Sequence, residues 1–291
     1  MKARLLLLAS LLAGGCGQPD PEAYLFMLDP HYRAEIAAGN DSGITSPDGL
    51  LWHDGGLIIA DEGGSAVRYW RPGERVRTLA TRQLGLRSPE DIVRDAAGYL
   101  YFTDDDAGGV RRIDPQGRTS WLAAPDQGLP STEGLTLAPS GVTLAGDQRG
   151  HRIMAIAPDG TVRVWLGPEA GIEKPESMAF DDSGNLYVAD NKADVLYLIT
   201  RDGRVRRPIS RREGFSPESL CYAGGTLYIT DSHHGTLFRY SPETGLVAIA
   251  AFSGDLANIQ GITADPEGNL YLSVQTDLHG GRGYILRLAR R

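Results

Sequence analysis

Cysteine is nearly missing from this sequence: there are two in 291 residues, Cys16 and Cys221. A framework of several disulfides is thereby excluded. Four chemical signatures are missing as well. There is no Cys-x-x-Cys pair, no His-Glu-x-x-His, no Gly-x-Ser-x-Gly elbow and no phosphate-binding glycine loop. Their absence removes a paired-thiol redox centre, a zincin, an elbow-type serine hydrolase and a P-loop nucleotide cradle. Asp104-Asp105-Asp106 opens like a calcium loop but has no glutamate at the required distance behind it. Positive charge is not in excess either. The net charge is -8, which argues against nucleic acid or an anionic membrane surface as a partner. A cationic ligand or a bound metal suits that balance, and so does a merely soluble acidic surface. Beyond the first residues no apolar run approaches the roughly 20 residues of a spanning helix. Sustained helical periodicity is also lacking.

What is present begins with a targeting segment. Lys2 and Arg4 precede the apolar run Leu5 to Leu12, followed by Ala13-Gly14-Gly15-Cys16. The run is too short to span a bilayer and has the order of a signal peptide. The small residues before Cys16 resemble a bacterial lipobox, although Ala13 stands where that pattern prefers Leu. The resemblance implies a signal peptide over 1–15, lipidation of Cys16, and a tether over 16–32. Ordinary secretion with cleavage nearby is the other reading. Gly17, rather than Asp, follows the cysteine, so the lipoprotein is expected at the outer membrane, facing the periplasm, with the lipid anchor as its membrane contact. Cys221 sits in the short apolar run Ser219 to Tyr222 and reads as a small buried hydrophobe rather than a reactive thiol.

Of the residues, 41% are hydrophobic and 23% charged, enough apolar content for a packed core. How that core is built follows from self-similarity. Six segments open alike: Ser46-Pro47-Asp48-Gly49, Ser88-Pro89-Glu90-Asp91, Ser131-Thr132-Glu133-Gly134, Lys174-Pro175-Glu176-Ser177, Ser216-Pro217-Glu218-Ser219 and Asn258-Ile259-Gln260-Gly261. Their third residues recur every 42 or 43 positions. Each opening leads into a short apolar run, a glycine-containing turn, and a second β-rich run such as Leu186-Tyr187-Val188-Ala189-Asp190. Two more strand-like runs follow, divided by turns such as Pro158-Asp159-Gly160. Four strands per unit make a propeller blade, and six units make an all-β, six-bladed β-propeller over 33–291, with blades starting near 46, 88, 131, 174, 216 and 258. The last unit ends after its third strand. The segment Arg33 to Ala38 can supply the fourth and close the ring without an open edge. Tyr24 to Leu28 is strand-like too, as an extra or a competing edge strand.

Gly184-Asn185-Leu186-Tyr187-Val188-Ala189-Asp190 and its sister runs resemble NHL-repeat propellers, and equally the gluconolactonase and SMP-30 group. The resemblance covers residues 33 to 291. It implies this fold, but not one activity, because such propellers host lactonases, phosphotriesterases, lyases and binding modules.

The strands of a blade alternate in direction, so the loop entering the first and the loop after the second share a face. Asp48, Glu90, Glu133, Glu176, Glu218 and Gln260 should therefore ring one mouth of the central channel. The residues ending each second strand lie on the same face: Asp61, Asp104, Asp147, Asp190 and Asp231, with Val274 in the sixth blade. These acids suit bonding to loop backbone. Two like charges 4 Å apart repel by about 4 kcal/mol at an effective dielectric near 20. Shared protons, basic partners or a hard cation relieve that. A ring of oxygen donors without thiolate suits one divalent cation, with Ca²⁺ first and Mg²⁺ or Mn²⁺ behind it. The same acids also suit backbone capping at a solvated channel mouth. His233 and His234 are candidate general bases on the ring's face. Gln260, Arg149, His151, Asn191 and His279 are candidate substrate contacts, and His31 and His53 read as structural on the far side.

Two functions follow. One is a metal-dependent hydrolase of lactones or related esters. The other is a non-catalytic propeller that binds a small molecule or protein at the envelope. Gluconolactonase-like sites mix Glu with Asn and Asp at their metal positions, whereas this ring is acidic with one Gln and no Asn.

Overall fold

A computed structural model describes residues 24–39, 42–210, 213–253, 258–275 and 283–291. Cys16 and His279 lie outside the described residues. The fold is all-β, with six antiparallel sheets in six sequential blades. Blade one contains Pro47–His53, Gly56–Asp61, Ala66–Trp70 and Arg77–Ala80, and the next three blades repeat that order. The second strands carry the alternating β-branched and aromatic pattern, yet both their faces are buried. Leu57, Ile58, Ile59 and Ala60 are all at most 2% exposed. Each blade is covered on both sides by its neighbours, so the core is a series of apolar layers between blades. One such layer holds Val188, Val195 and Tyr197 of blade four against Leu144 and Ile153 of blade three.

The crossings between blades follow one local plan. After the fourth strand of blades one to three comes a single turn of 3-10 helix: Arg82–Leu84, Pro125–Gln127 and Pro168–Ala170. At the first two, Gly85 (φ 85°) and Gly128 (φ 93°) end the turn in the left-handed region. The next residues, Leu86 and Leu129, are fully buried and plug the seam to the following blade.

The ring closes as the missing strand requires. Tyr32–Ala38 pairs antiparallel with Tyr284–Arg290, from Tyr32 opposite Arg290 to Ala38 opposite Ile285. Blade six is thus made of both ends of the chain. The strand Leu25–Met27 does not compete for that place. It pairs with Gly245–Phe252 and adds a fifth, outermost strand to blade five. Between the two strands the chain steps across the seam. Asp29 is held there by Arg239 of blade five at 2.9 Å, and the Tyr32 hydroxyl bonds to that of Tyr228 at 3.1 Å. Cys221 packs into the apolar layer beside blade six, where burial pushes its thiol up to about 12. Among the described residues no helix is long and apolar enough to cross a membrane.

Candidate functional site at the channel mouth

The first strands approach one another at the channel. In blades one, two, three and six their pairing slips at the ring residue, between Pro47 and Leu50, Pro89 and Ile92, Thr132 and Leu135, and Ile259 and Ile262. Such a bulge re-aims side chains. The contact between neighbouring blades is backbone to backbone. A Cβ on Gly49 would stand 2.2 Å from the Glu90 carbonyl oxygen, and one on Gly261 2.3 Å from that of Asp48. This closeness gathers the carboxylates. Asp48, Glu90, Glu133, Glu176 and Glu218 line a common cavity of about 20 Å³. That is room for one water-sized occupant.

A second tier stands above the first, made of the residues just after the second strands: Glu62, Asp105, Gln148, Asn191, Ser232 and Gln275. Most of them bond to the ring. Gln275 Nε2 donates to Asp48 at 3.3 Å and to Glu62 at 3.1 Å. Gln148 Nε2 donates to Glu133 at 2.6 Å and to Asp105 at 2.9 Å. Ser232 Oγ (2.6 Å) and Asn191 Nδ2 (3.1 Å) both donate to Glu218 Oε2. Ser88 Oγ is within 3.2 Å of Glu90 and 3.1 Å of Glu62. Among the described residues one base enters the ring. Lys174 Nζ lies 3.1 Å from Glu133 Oε2 and 2.9 Å from Glu176 Oε2.

The electrostatics follow from this crowding. Burial first, then repulsion from Glu218 and Glu62, holds Asp48 well above the usual carboxylate range. Glu90 is raised by burial and then by Asp48 and Glu62. Glu176 is raised by burial and then by Glu218 and Glu133, with Lys174 opposing. Beneath the ring, burial pushes Asp91 up to about 6, against the Leu135 and Ile92 amides that hydrogen-bond to its carboxylate. Burial opposes the charge on Lys174, but Glu176 and then Glu133 hold its ammonium above the usual lysine range.

The other expected site residues are spread over the same face. Gln260 donates to Asn258 at 2.7 Å, beside the ring. Asn191 joins the ring through Glu218. Arg149 is exposed, and the exposed His151 bonds through Nδ1 to the Glu173 carbonyl at 2.6 Å. His234 Nδ1 lies 3.0 Å from Asp231 Oδ2, and His233 is exposed and packs edge-on to it. Neither histidine lines the cavity inside the ring. The acids ending the second strands are buried and serve the backbone. Asp104 accepts from the amides of Arg87, Ser88 and Ala107, and Asp190 from those of Glu173, Lys174 and Ala193.

Sequence reasoning had not singled out Lys174, Glu62, Gln148, Ser232 or Gln275. Two signals were available. Lys174 breaks a column that is otherwise Ser or Asn at the start of the repeat, and the second tier is the column one place past the strand-end acid.

A cleft of about 690 Å³ lies on the opposite face and is lined by Asp29, His31, Tyr32, Trp52, Tyr228 and Arg239 among others. Several of its polar groups already have partners. Asp29 is bonded to Arg239 and to His31 Nδ1 (2.7 Å), Asp265 to Asn269 and Tyr271, and the two tyrosine hydroxyls to each other. The ring, where like charges converge, is the better candidate.

Comparison with known proteins agrees with this architecture. The family model for the SMP-30/gluconolactonase/LRE-like region matches residues 27–230, more than half of the chain. The chain belongs to the SMP-30/gluconolactonase family. No curated protein sequence matches it. Among solved structures, a gluconolactonase from Xanthomonas campestris superposes with a TM-score of 0.72 at 20% identity, over 89% of this chain and 90% of that one. A protein described as a putative gluconolactonase gives 0.69 at 17% identity, over 92% and 98%. Regucalcin from Agrobacterium tumefaciens, described as a calcium-binding protein, gives 0.68 at 17%, over 88% and 96%. At such identities the likeness shows the fold.

The family implies a divalent cation, and the ring can be tested for one. Its donors are oxygens throughout, its cavity has the size of one ion, and among the described residues three of its carboxylates have only neutral hydrogen-bond donors. As the side chains stand, no three acidic, histidine or cysteine side chains among the described residues are gathered closely enough to hold an ion. Their oxygens are turned to Lys174, Gln148, Ser232, Ser88 and Gln275 instead. Donor type and space fit a hard cation, and side-chain rotation is what would bring the oxygens together.

Proposed function

We propose that this protein is a divalent-cation-dependent hydrolase of lactones or related esters, acting at the channel mouth. The observation that carries this reading is the convergence of five carboxylates on an ion-sized cavity, offset among the described residues by the ammonium of Lys174. Asp48, Glu90 and Glu218 would hold the cation, with Glu133 and Glu176 shared with Lys174. Ca²⁺ suits the site best, since it tolerates irregular oxygen geometry. When bound, it supplies Lewis acidity toward a carbonyl oxygen. The chain's own residues do the rest. Gln148, Ser232, Asn191 and Gln275 orient the carboxylates through the bonds described above. The proton acceptors that face the cavity are carboxylates, while His233 and His234 stand outside it.

Calorimetry with Ca²⁺, Mg²⁺ and Mn²⁺, followed by a lactone and aryl-ester screen, tests this. One ion per chain should bind below roughly millimolar, a modest affinity equivalent to about 4 kcal/mol. Glu90→Gln or Glu218→Gln should weaken binding at least about tenfold, or about 1.4 kcal/mol, and lower turnover in parallel. No binding of any of the three ions would end the metal and the hydrolase together. Binding without turnover would leave a binding propeller that holds an ion.

The setting we propose is the periplasmic face of the outer membrane, with Cys16 lipidated. Two or three acyl chains anchor a protein stably. Cys16→Ser should then move the protein from the membrane fraction to the soluble fraction. A variant that still sediments with membranes would refute the lipid anchor.

A further inference from the structure

In five blades the residue two places before the ring position is Ser46, Ser88, Ser131, Ser216 or Asn258; in blade four it is Lys174. Where its equivalents carry a neutral hydrogen-bonding group, Lys174 carries a charge into the ring. Its ammonium sits between two neighbouring carboxylates, 3.1 Å from Glu133 and 2.9 Å from Glu176. Apart from that ion pair, Glu176 Oε2 is buried and takes no hydrogen bond. Among the described residues no basic side chain pairs with Asp48, Glu90 or Glu218; their partners there are Gln275, Ser88, Ser232 and Asn191.

We propose that Lys174 is a resident counter-cation that divides the ring. It holds Glu133 and Glu176 permanently and leaves Asp48, Glu90 and Glu218 as the seat of a single exchangeable cation. The physical reason is charge. Five carboxylates without an internal base would draw in two ions or hold one very tightly. An ammonium fixed by the chain neutralises one side and adds a like charge that repels any incoming cation. The residue therefore sets both how many ions the ring takes and how readily it releases them. This inference rests on the cation reading given above.

The test is calorimetry with CaCl₂ on the full folded domain of the parent, Lys174→Ser, Lys174→Met and Lys174→Arg, each first checked by thermal melting. Lys174→Ser restores the residue of the other blades, and Lys174→Met keeps the apolar stem without the charge. The two neutral variants should bind a second ion, or bind one at least tenfold more tightly than the parent. Lys174→Arg should behave like the parent. Equal affinity and stoichiometry in all four proteins would overturn the assignment. Binding by the neutral variants alone, with none by the parent, would overturn the division of the ring, since no exchangeable seat would remain beside Lys174, and would end the metal-dependent function with it. Binding by none of the four would overturn both.

Discussion

A protein shortened to begin at residue 39 should fail to form a stable ring. It would lack Tyr32–Ala38, leaving Tyr284–Arg290 with a bare edge and uncovering a face that holds Leu286 and Leu288, both fully buried in the intact chain. Six paired positions disappear with it. At about 1 kcal/mol for each lost backbone bond, plus the buried contacts of Tyr32 and Ala38, the cost is on the order of 5–10 kcal/mol. That matches the whole stability of an ordinary domain, about 5–15 kcal/mol. Far-UV circular dichroism melts and size-exclusion chromatography should show an aggregated or non-cooperative species. A chain beginning at residue 31 keeps the closing strand and loses only Leu25–Met27 and the Asp29 ion pair. It should remain folded with a lower melting temperature. A chain beginning at residue 39 that melted within about 5 °C of the parent, a shift worth only one or two kcal/mol, would show that the closure matters little.

The second large effect is expected from one methyl group beside the ring. Gly49→Ala and Gly261→Ala each place a Cβ inside the van der Waals radius of a carbonyl oxygen on the adjoining blade, at 2.2 and 2.3 Å. Backbone cannot swing away as a side chain does, so the first strands must separate. We expect each to cost about 2–3 kcal/mol and to weaken cation binding, because the displaced oxygens belong to Glu90 and Asp48 themselves. Gly134→Ala, whose Cβ would lie 2.7 Å from the Glu176 carbonyl oxygen, should cost less. Chemical denaturation read beside calorimetry checks both halves of the expectation. A series in which stability and affinity ignore the order of these distances would rule out the close-approach explanation.

The fold was legible because a blade is a repeated unit and its period survives divergence. Six recurrences of one opening place the ring residues in register from the sequence alone. The missing fourth strand in the last unit pointed to its donor at Arg33 to Ala38. Less legible was the strand Leu25–Met27. An outermost strand is chosen by the edge available to it, and nothing in Leu25-Phe26-Met27 specifies blade five over blade six. The site was half legible. The acids at the first tier stood in a column, whereas Gln148, Ser232 and Gln275 are ordinary loop residues until their amides and hydroxyls are seen on Glu133, Glu218 and Asp48. The histidine pair drew attention through rarity. Its neighbour Asp231 is a buried acid with amides to serve, and His234 is drawn to it as Arg68 is drawn to Asp61 and Arg152 to Asp147.

The blade shared by both ends of the chain also sets an order of events in time. Tyr32 is made early and must wait for Arg290, its partner, to be synthesised and delivered. The first four blades have all their strands locally and can form as the chain emerges. The sixth blade and the fifth strand of blade five need the amino-terminal residues to remain free until the end. Contacts between such distant residues form late and slowly. A chain cut short before its last strand thus leaves Tyr32–Ala38 without a partner even where Leu25–Met27 has reached blade five, a bare segment of the kind proteases cut first.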